Sequence, residues 1–125
     1  MSDQMKATAE ALAACCRENR TNEGLDTLYS ADAVSVEAAL APGMESRETA
    51  GLDGIRGKHA WWDGAMEMHE AKIEGPFYHG EDRFGLIFEM DVTEKASGER
   101  SQMKEFGVYT VDAAGKIVRE EFFYA

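Results

Sequence analysis

A chain of 125 residues is about one domain's worth of sequence, because domains typically run to about 100–150 residues. Its composition, 44% hydrophobic and 10% aromatic against 30% charged, is that of a globular protein with a real core and excludes a disordered chain. Thirteen basic against 24 acidic side chains leave a formal charge of −11, a field that repels nucleic acid and anionic membrane surfaces.

In chain order, Met1-Ser2-Asp3-Gln4 has neither the basic nor the apolar region of a secretory signal. No later apolar run approaches the ~20 residues of a bilayer span. Met5, Ala9, Leu12 and Cys16 recur at helical spacing and predict an amphipathic first helix. The adjacent Cys15 and Cys16 lack an activating His or basic cluster, so they read as free thiols in a reducing cytoplasm. Thr21 or Asn22 is expected to cap a short second helix through Leu25, Leu28 and Tyr29. Val34 to Glu37 predicts a strand, and residues 41–50, with Pro42 and Gly43, a loop. Asp53 is expected to cap a third helix with the stripe Ile55, His59, Trp62 and Met66. Gly54, Gly57 and Gly64 each weaken it by roughly 1 kcal/mol relative to Ala.

From His69 the period changes to two. His69, Ala71, Ile73 and Phe77 form one row, and Phe84, Leu86, Phe88, Met90 and Val92 a second. After a hairpin loop at Ala96-Ser97-Gly98, Met103, Glu105, Gly107, Tyr109 and Val111 form a third. A turn at 112–115 leads to a last strand over 116–124. Three helices followed by long antiparallel strands predict an α+β domain: a curved antiparallel sheet wrapped around the helices, enclosing a packed core or a pocket. Ile87, Phe106, Val108, Ile117 and Phe123 fall on the opposite face, which predicts a homodimer through the sheet.

Local matches accompany this order of elements. Leu28-Tyr29-Ser30-Ala31-Asp32-Ala33-Val34 resembles the LYADDAV turn after the second helix of SnoaL-like and ketosteroid-isomerase-like proteins. Gly51-Leu52-Asp53-Gly54-Ile55-Arg56-Gly57 resembles the G-x-x-x-I-R opening of their third helix. Gly75-Pro76 and the run from Asp112 to Ile117 also fit. The resemblance spans about residues 5–124 and implies a nuclear-transport-factor-like cone around a central pocket. It puts the isomerase's general-base carboxylate on Glu37 and a pocket tyrosine on His59. The two oxyanion donors fall near Ala13 and on Gly107, neither of which has a side-chain hydrogen to give.

Several residues are candidates for chemistry in their own right. Glu37 ends a strand otherwise occupied by Val and Ser; in an apolar cavity, desolvation would raise its pKa toward the range of a general base. His59, on a helix's apolar stripe, is either a core histidine or an acid–base partner for Glu37. Glu105 and Glu120 break apolar rows and, if buried, need partners such as His59, His69 or a tyrosine hydroxyl; a bulge could instead turn Glu120 outward. Trp61 and Trp62 cannot both face inward. Trp62, Phe88, Met103, Tyr109 and Tyr124 suit the wall of an apolar site, with Tyr29 at the turn beside it. His59, His69 and His79 have no compact metal-ligand spacing, so no metal and no organic cofactor are expected.

The expected function is proton transfer at carbon on a small hydrophobic molecule, as in isomerisation, aldol-type cyclisation or dehydration. Glu37 and His59 would be catalytic; Tyr29, Trp62, His69, Phe88, Met103, Glu105, Tyr109, Glu120 and Tyr124 would bind the ligand. A binding module that transforms nothing, and a dimerisation domain with a filled pocket, are the alternatives.

Overall fold

The computed structural model describes residues 2–40 and 43–124. The chain forms α1 (Asp3–Arg17), α2 (Thr21–Leu28), β1 (Tyr29–Val36), β2 (Glu48–Ala50) and α3 (Leu52–Ala65). Four long strands follow: β3 (Met66–His79), β4 (Arg83–Glu94), β5 (Arg100–Val111) and β6 (Ile117–Tyr124). Among the described residues no helix is long and apolar enough to cross a membrane.

The helices start where their backbones find partners. Ser2 caps α1 by accepting from the Met5 amide at 3.1 Å, which satisfies one of the free amides of the first turn. The expected caps of the other two helices are displaced. Arg20, with no side-chain cap, precedes α2, so Thr21 and Asn22 lie inside it. Gly51 precedes α3 at φ 91°, a left-handed conformation that glycine adopts without a Cβ clash. Asp53 therefore sits in the first turn, where its charge favours the positive end of the helix dipole. Within the expected 41–50 loop, Ala41 and Pro42 lie outside the described residues, and Glu48–Ala50 pair antiparallel with β1 as β2.

The strands form one curved, unclosed sheet in the order β2-β1-β6-β5-β4-β3. All neighbouring pairs are antiparallel except β1 and β6, which run parallel because α3 and the β3–β5 meander intervene between them. The helices pack on the inner face, giving the α+β cone that the element order predicts. Thr8 on α1 donates to the Gly115 carbonyl at 2.6 Å, and Arg17 donates to the carbonyls of Ile73 and Gly75 at 3.0 Å. These bonds tie the first helix to both the β5–β6 turn and the edge strand.

Bulges revise three expected positions, because one extra residue reverses side-chain alternation. The β3–β4 register skips at His69, the extra residue between Met68 and Glu70. A second irregularity, between Glu74 and Phe77, leaves Phe77 exposed and packs Tyr78 against the core instead. In β6, Val111 pairs with Ile117 while Thr110 pairs with Arg119, so Val118 is extra. Ile117 consequently lies fully buried in the core, and only Ile87, Phe106, Val108 and Phe123 remain on the outer face.

The core sits where α1 and α2 meet the sheet. Met5, Ala9, Leu12, Leu25, Phe84, Leu86, Tyr109 and Ile117 are all buried there. Phe84 stacks on Tyr109 with centroids 5.1 Å apart.

Candidate functional site

At the other end of the cone, α3 packs against β1 and brings together a set of polar groups. Glu37 lies immediately after β1, its amide bonded to the Arg47 carbonyl at 2.8 Å, and its side chain is half-buried. Its carboxylate forms an ion pair with Lys58 on α3. The same Lys58 ammonium donates to Ser35 Oγ at 2.8 Å. Ser35 is fully buried and stands in register with Glu120 of the neighbouring β6. Glu37, Lys58, Ser35 and Glu120 thus form a continuous polar chain running from the edge of the cone into its interior.

Glu120 is the unusual member. It points inward with 3% of its surface exposed, rather than turning outward beside Glu121. Its Oε1 has no hydrogen-bond partner among the described residues. Desolvation pushes its carboxyl up to about 7, against hydrogen bonds from Tyr29 and Ser35 and the charge of Lys58. Tyr29 and Tyr109 are buried beside it, and burial first, then the Glu120 charge, drives both phenols well above their ordinary value.

Two further groups face the same space. His59, half-buried on α3, is pushed down by desolvation more than Asp63 and Glu37 pull it up, which favours its neutral form. Glu105, on the inner row of β5, is pushed up by desolvation and then by the Glu37 charge, with Lys58 opposing. Three carboxyls here share one lysine. Like charges in a poorly solvated space cannot all ionise freely, which favours a proton held within the cluster near neutrality.

The remaining predicted residues divide by location. Phe88 and Phe122 pack edge-on at 6.5 Å against the open side of the core, and Met103 pairs with Met90 on the same inner face. Trp62 is half-buried while Trp61 is exposed, so only one of the two tryptophans faces the protein. Tyr124 ends β6 opposite Glu105 and is largely exposed. Tyr29 and Tyr109 belong to the buried interior beside Glu120. His69 does not join the group: as the bulge residue it is exposed and bonds Thr93 Oγ1 at 2.7 Å. Lys58 and Ser35 were not among the predicted residues. The available signal was modest: Lys58 lies three residues after Ile55 on α3, and Ser35 sits in phase with Ala33 on β1.

The positions where the resemblance puts oxyanion donors are closed. Ala13 is fully buried in the core. A Cβ on Gly107 would come within 3.1 Å of the Tyr109 and Phe122 rings and 3.2 Å of Phe88, so aromatic rings fill the space of a second donor. Two surface hollows lie elsewhere. One, over β3–β5, is lined by charged residues together with Met90 and Met103, and the other lies beside Trp61 and the β4–β5 turn; neither touches Glu37, His59 or Glu120. Among the described residues no group of three or more His, Cys, Asp or Glu side chains is placed to hold a metal ion.

The profile of the SnoaL-like domain matches residues 4–124. A solved structure from Mesorhizobium loti, provisionally named a SnoaL-like polyketide cyclase (carbohydrate phosphatase), is 34% identical with a TM-score of 0.87; the match covers 99% of this chain and all of that one. A Δ5-3-ketosteroid isomerase from a Mycobacterium species shares the fold at 17% identity and a TM-score of 0.69, covering 99% of this chain and 95% of that one. So does a Mycobacterium tuberculosis protein solved with estradiol-17β-hemisuccinate, at 15% identity and a TM-score of 0.72, covering 99% and 95%. No functionally curated protein matches the sequence. The chain belongs to the SnoaL-like family.

Proposed function

We propose that this SnoaL-like domain binds a small hydrophobic molecule in the open end of its cone and moves a proton at one of its carbons without an organic cofactor. Isomerisation, cyclisation and dehydration all use that step. The observation that carries the reading is the meeting of Glu37, Lys58, His59 and Glu105 where α3 packs against β1, with Phe88 in register with Glu105. Glu37 is the base that removes the proton, oriented by its ion pair with Lys58. The neutral form of His59, favoured by its burial, can accept a proton or donate a hydrogen bond, and it returns the proton or orients the substrate. Trp62, Phe88 and Met103 supply the apolar wall, Glu105 meets the polar end of the ligand, and Tyr124 flanks the opening.

Ala13 and Gly107 provide no side-chain hydrogen bond to a developing oxyanion. Lys58 is the group that can take over this role, because a fixed positive charge in a poorly solvated site stabilises negative charge strongly. Deuterium incorporation next to the carbonyl of a panel of cyclic ketones, followed by proton NMR, tests the assignment. Glu37→Gln should slow the exchange by about 10²–10⁴-fold. Equal rates in the wild type and the variant would remove Glu37 as the base.

The filled oxyanion positions also support a second reading, a module that holds its ligand unchanged. Native mass spectrometry would then show an intact small molecule travelling with the purified protein. For the outer face, Ile87, Phe106, Val108 and Phe123 support a homodimer through the sheet, which sedimentation equilibrium would register. Free Cys15 and Cys16 fit a reducing cytoplasm.

A further inference from the structure

We infer that Glu120 is a buried proton store connected to Glu37 through Ser35 and Lys58, a positioning residue that resets the base without touching the substrate. Four observations carry this. Lys58 is shared, holding Glu37 by an ion pair and Ser35 by a 2.8 Å hydrogen bond. Because Ser35 Oγ accepts from Lys58, its own hydrogen is free to point at the neighbouring carboxyl. Ser35 and Glu120 are register partners on adjacent parallel strands. Glu120 Oε1 is buried without a partner among the described residues, an arrangement that a neutral carboxyl tolerates far better than a carboxylate.

The transfer balances. With Glu120 ionised, Lys58 releases a proton to Ser35 Oγ as the Ser35 hydroxyl proton moves to the Glu120 carboxylate, and the neutral Lys58 amine then takes from Glu37 the proton that came from carbon. The net change is one proton leaving Glu37 and arriving on Glu120, with Lys58 and Ser35 restored. The groups facing Glu120 are Tyr29 and Ser35 on β1, Tyr109 on β5, Cys16 on α1 and Lys58 on α3, with Glu37 beyond. Burial raises Cys16 to about 12 and raises both phenols, so none of these three competes for the proton near neutrality.

The catalytic meaning of this store rests on the proton-transfer reading, but the connection itself belongs to the protein alone and needs no substrate. Infrared spectroscopy of the whole protein tests it. A carboxylic-acid C=O band should persist at pH 6, fade as pH rises through neutrality and be missing in Glu120→Gln. If that variant does not fold, persistence of the band in both Glu37→Gln and Glu105→Gln assigns it to Glu120 instead. After rapid mixing into D2O, Ser35→Ala and Lys58→Met should slow the isotope shift of the band at least tenfold, with near-ultraviolet circular dichroism confirming the fold. A band that exchanges at the wild-type rate in both variants overturns the connection. Absence of any acid band at pH 6 overturns the store. Either result leaves ketone exchange by Glu37 standing or falling separately.

Discussion

The two ends of the cone are built from the same strands yet do different work. At the closed end, α1 and α2 cover the inner rows of β4, β5 and β6, and Phe84, Leu86 and Ile117 lose all contact with water. At the open end α3 stands over β1 and β2, and the same rows continue as the half-buried Phe88, Glu105 and Phe122. Every polar group of the candidate site except Glu120 and Ser35 lies on that less covered side. Helix coverage therefore divides one continuous sheet face into a closely packed part and a less covered part. Glu120 sits at the boundary, supplied with a carboxyl by β6 and denied water by the closed end.

Substitutions on the two sides should separate stability from function. Phe84→Ala, in the closed end, should lower unfolding free energy by about 3–5 kcal/mol in urea titrations, because its stacked, fully buried site cannot refill. Glu120 should give the next largest effect, and it should depend on pH. A carboxyl raised from 4.5 to about 7 in the folded state binds more protons folded than unfolded between those values. Its contribution is complete below pH 4.5 and is lost as pH rises through 7, on the order of 3 kcal/mol. Glu105 is shifted in the same direction, so the comparison that isolates Glu120 is wild type against Glu120→Gln. The variant should lack that share of the decline.

Gly107→Asp probes the boundary itself. If the rings around Gly107 are as tightly packed as their 3.1–3.2 Å approach to a Cβ implies, the variant loses about 1–3 kcal/mol of stability and gains no oxyanion donor. A stable variant with faster ketone exchange would show instead that the boundary is soft. Smallest in stability should be His59→Ala, at the open end, costing about 1 kcal/mol or less by thermal denaturation while reducing ketone exchange about tenfold. A stability loss as large as that of Phe84→Ala would mean that His59 belongs to the packed core and that the division between the ends is misplaced.

Much of the architecture was legible in the residues because it depends on local periodicity. The helical stripe Met5, Ala9, Leu12 and Cys16, and the alternating run from Phe84 to Val92, each report one face of one element. The misplaced residues are those whose neighbours in space are distant in sequence. Counting in twos places His69, Phe77 and Ile117 on the wrong faces, because a bulge shifts the alternation in each strand. Lys58 passed unnoticed because an exposed lysine and a site lysine look alike in one dimension. Its partners Glu37 and Ser35 lie more than twenty residues earlier, on a different element.

The sequence alone was enough to identify three helices, a meander of long strands, an acidic α+β chain and its family resemblance, since composition, period and short motifs are properties of contiguous residues. Only the tertiary structure decided which carboxyl is buried, which cation it answers to and which part of the sheet face the helices cover. Those outcomes depend on desolvation and on charges a few ångströms apart, and both are set when β1, α3 and β6 come together.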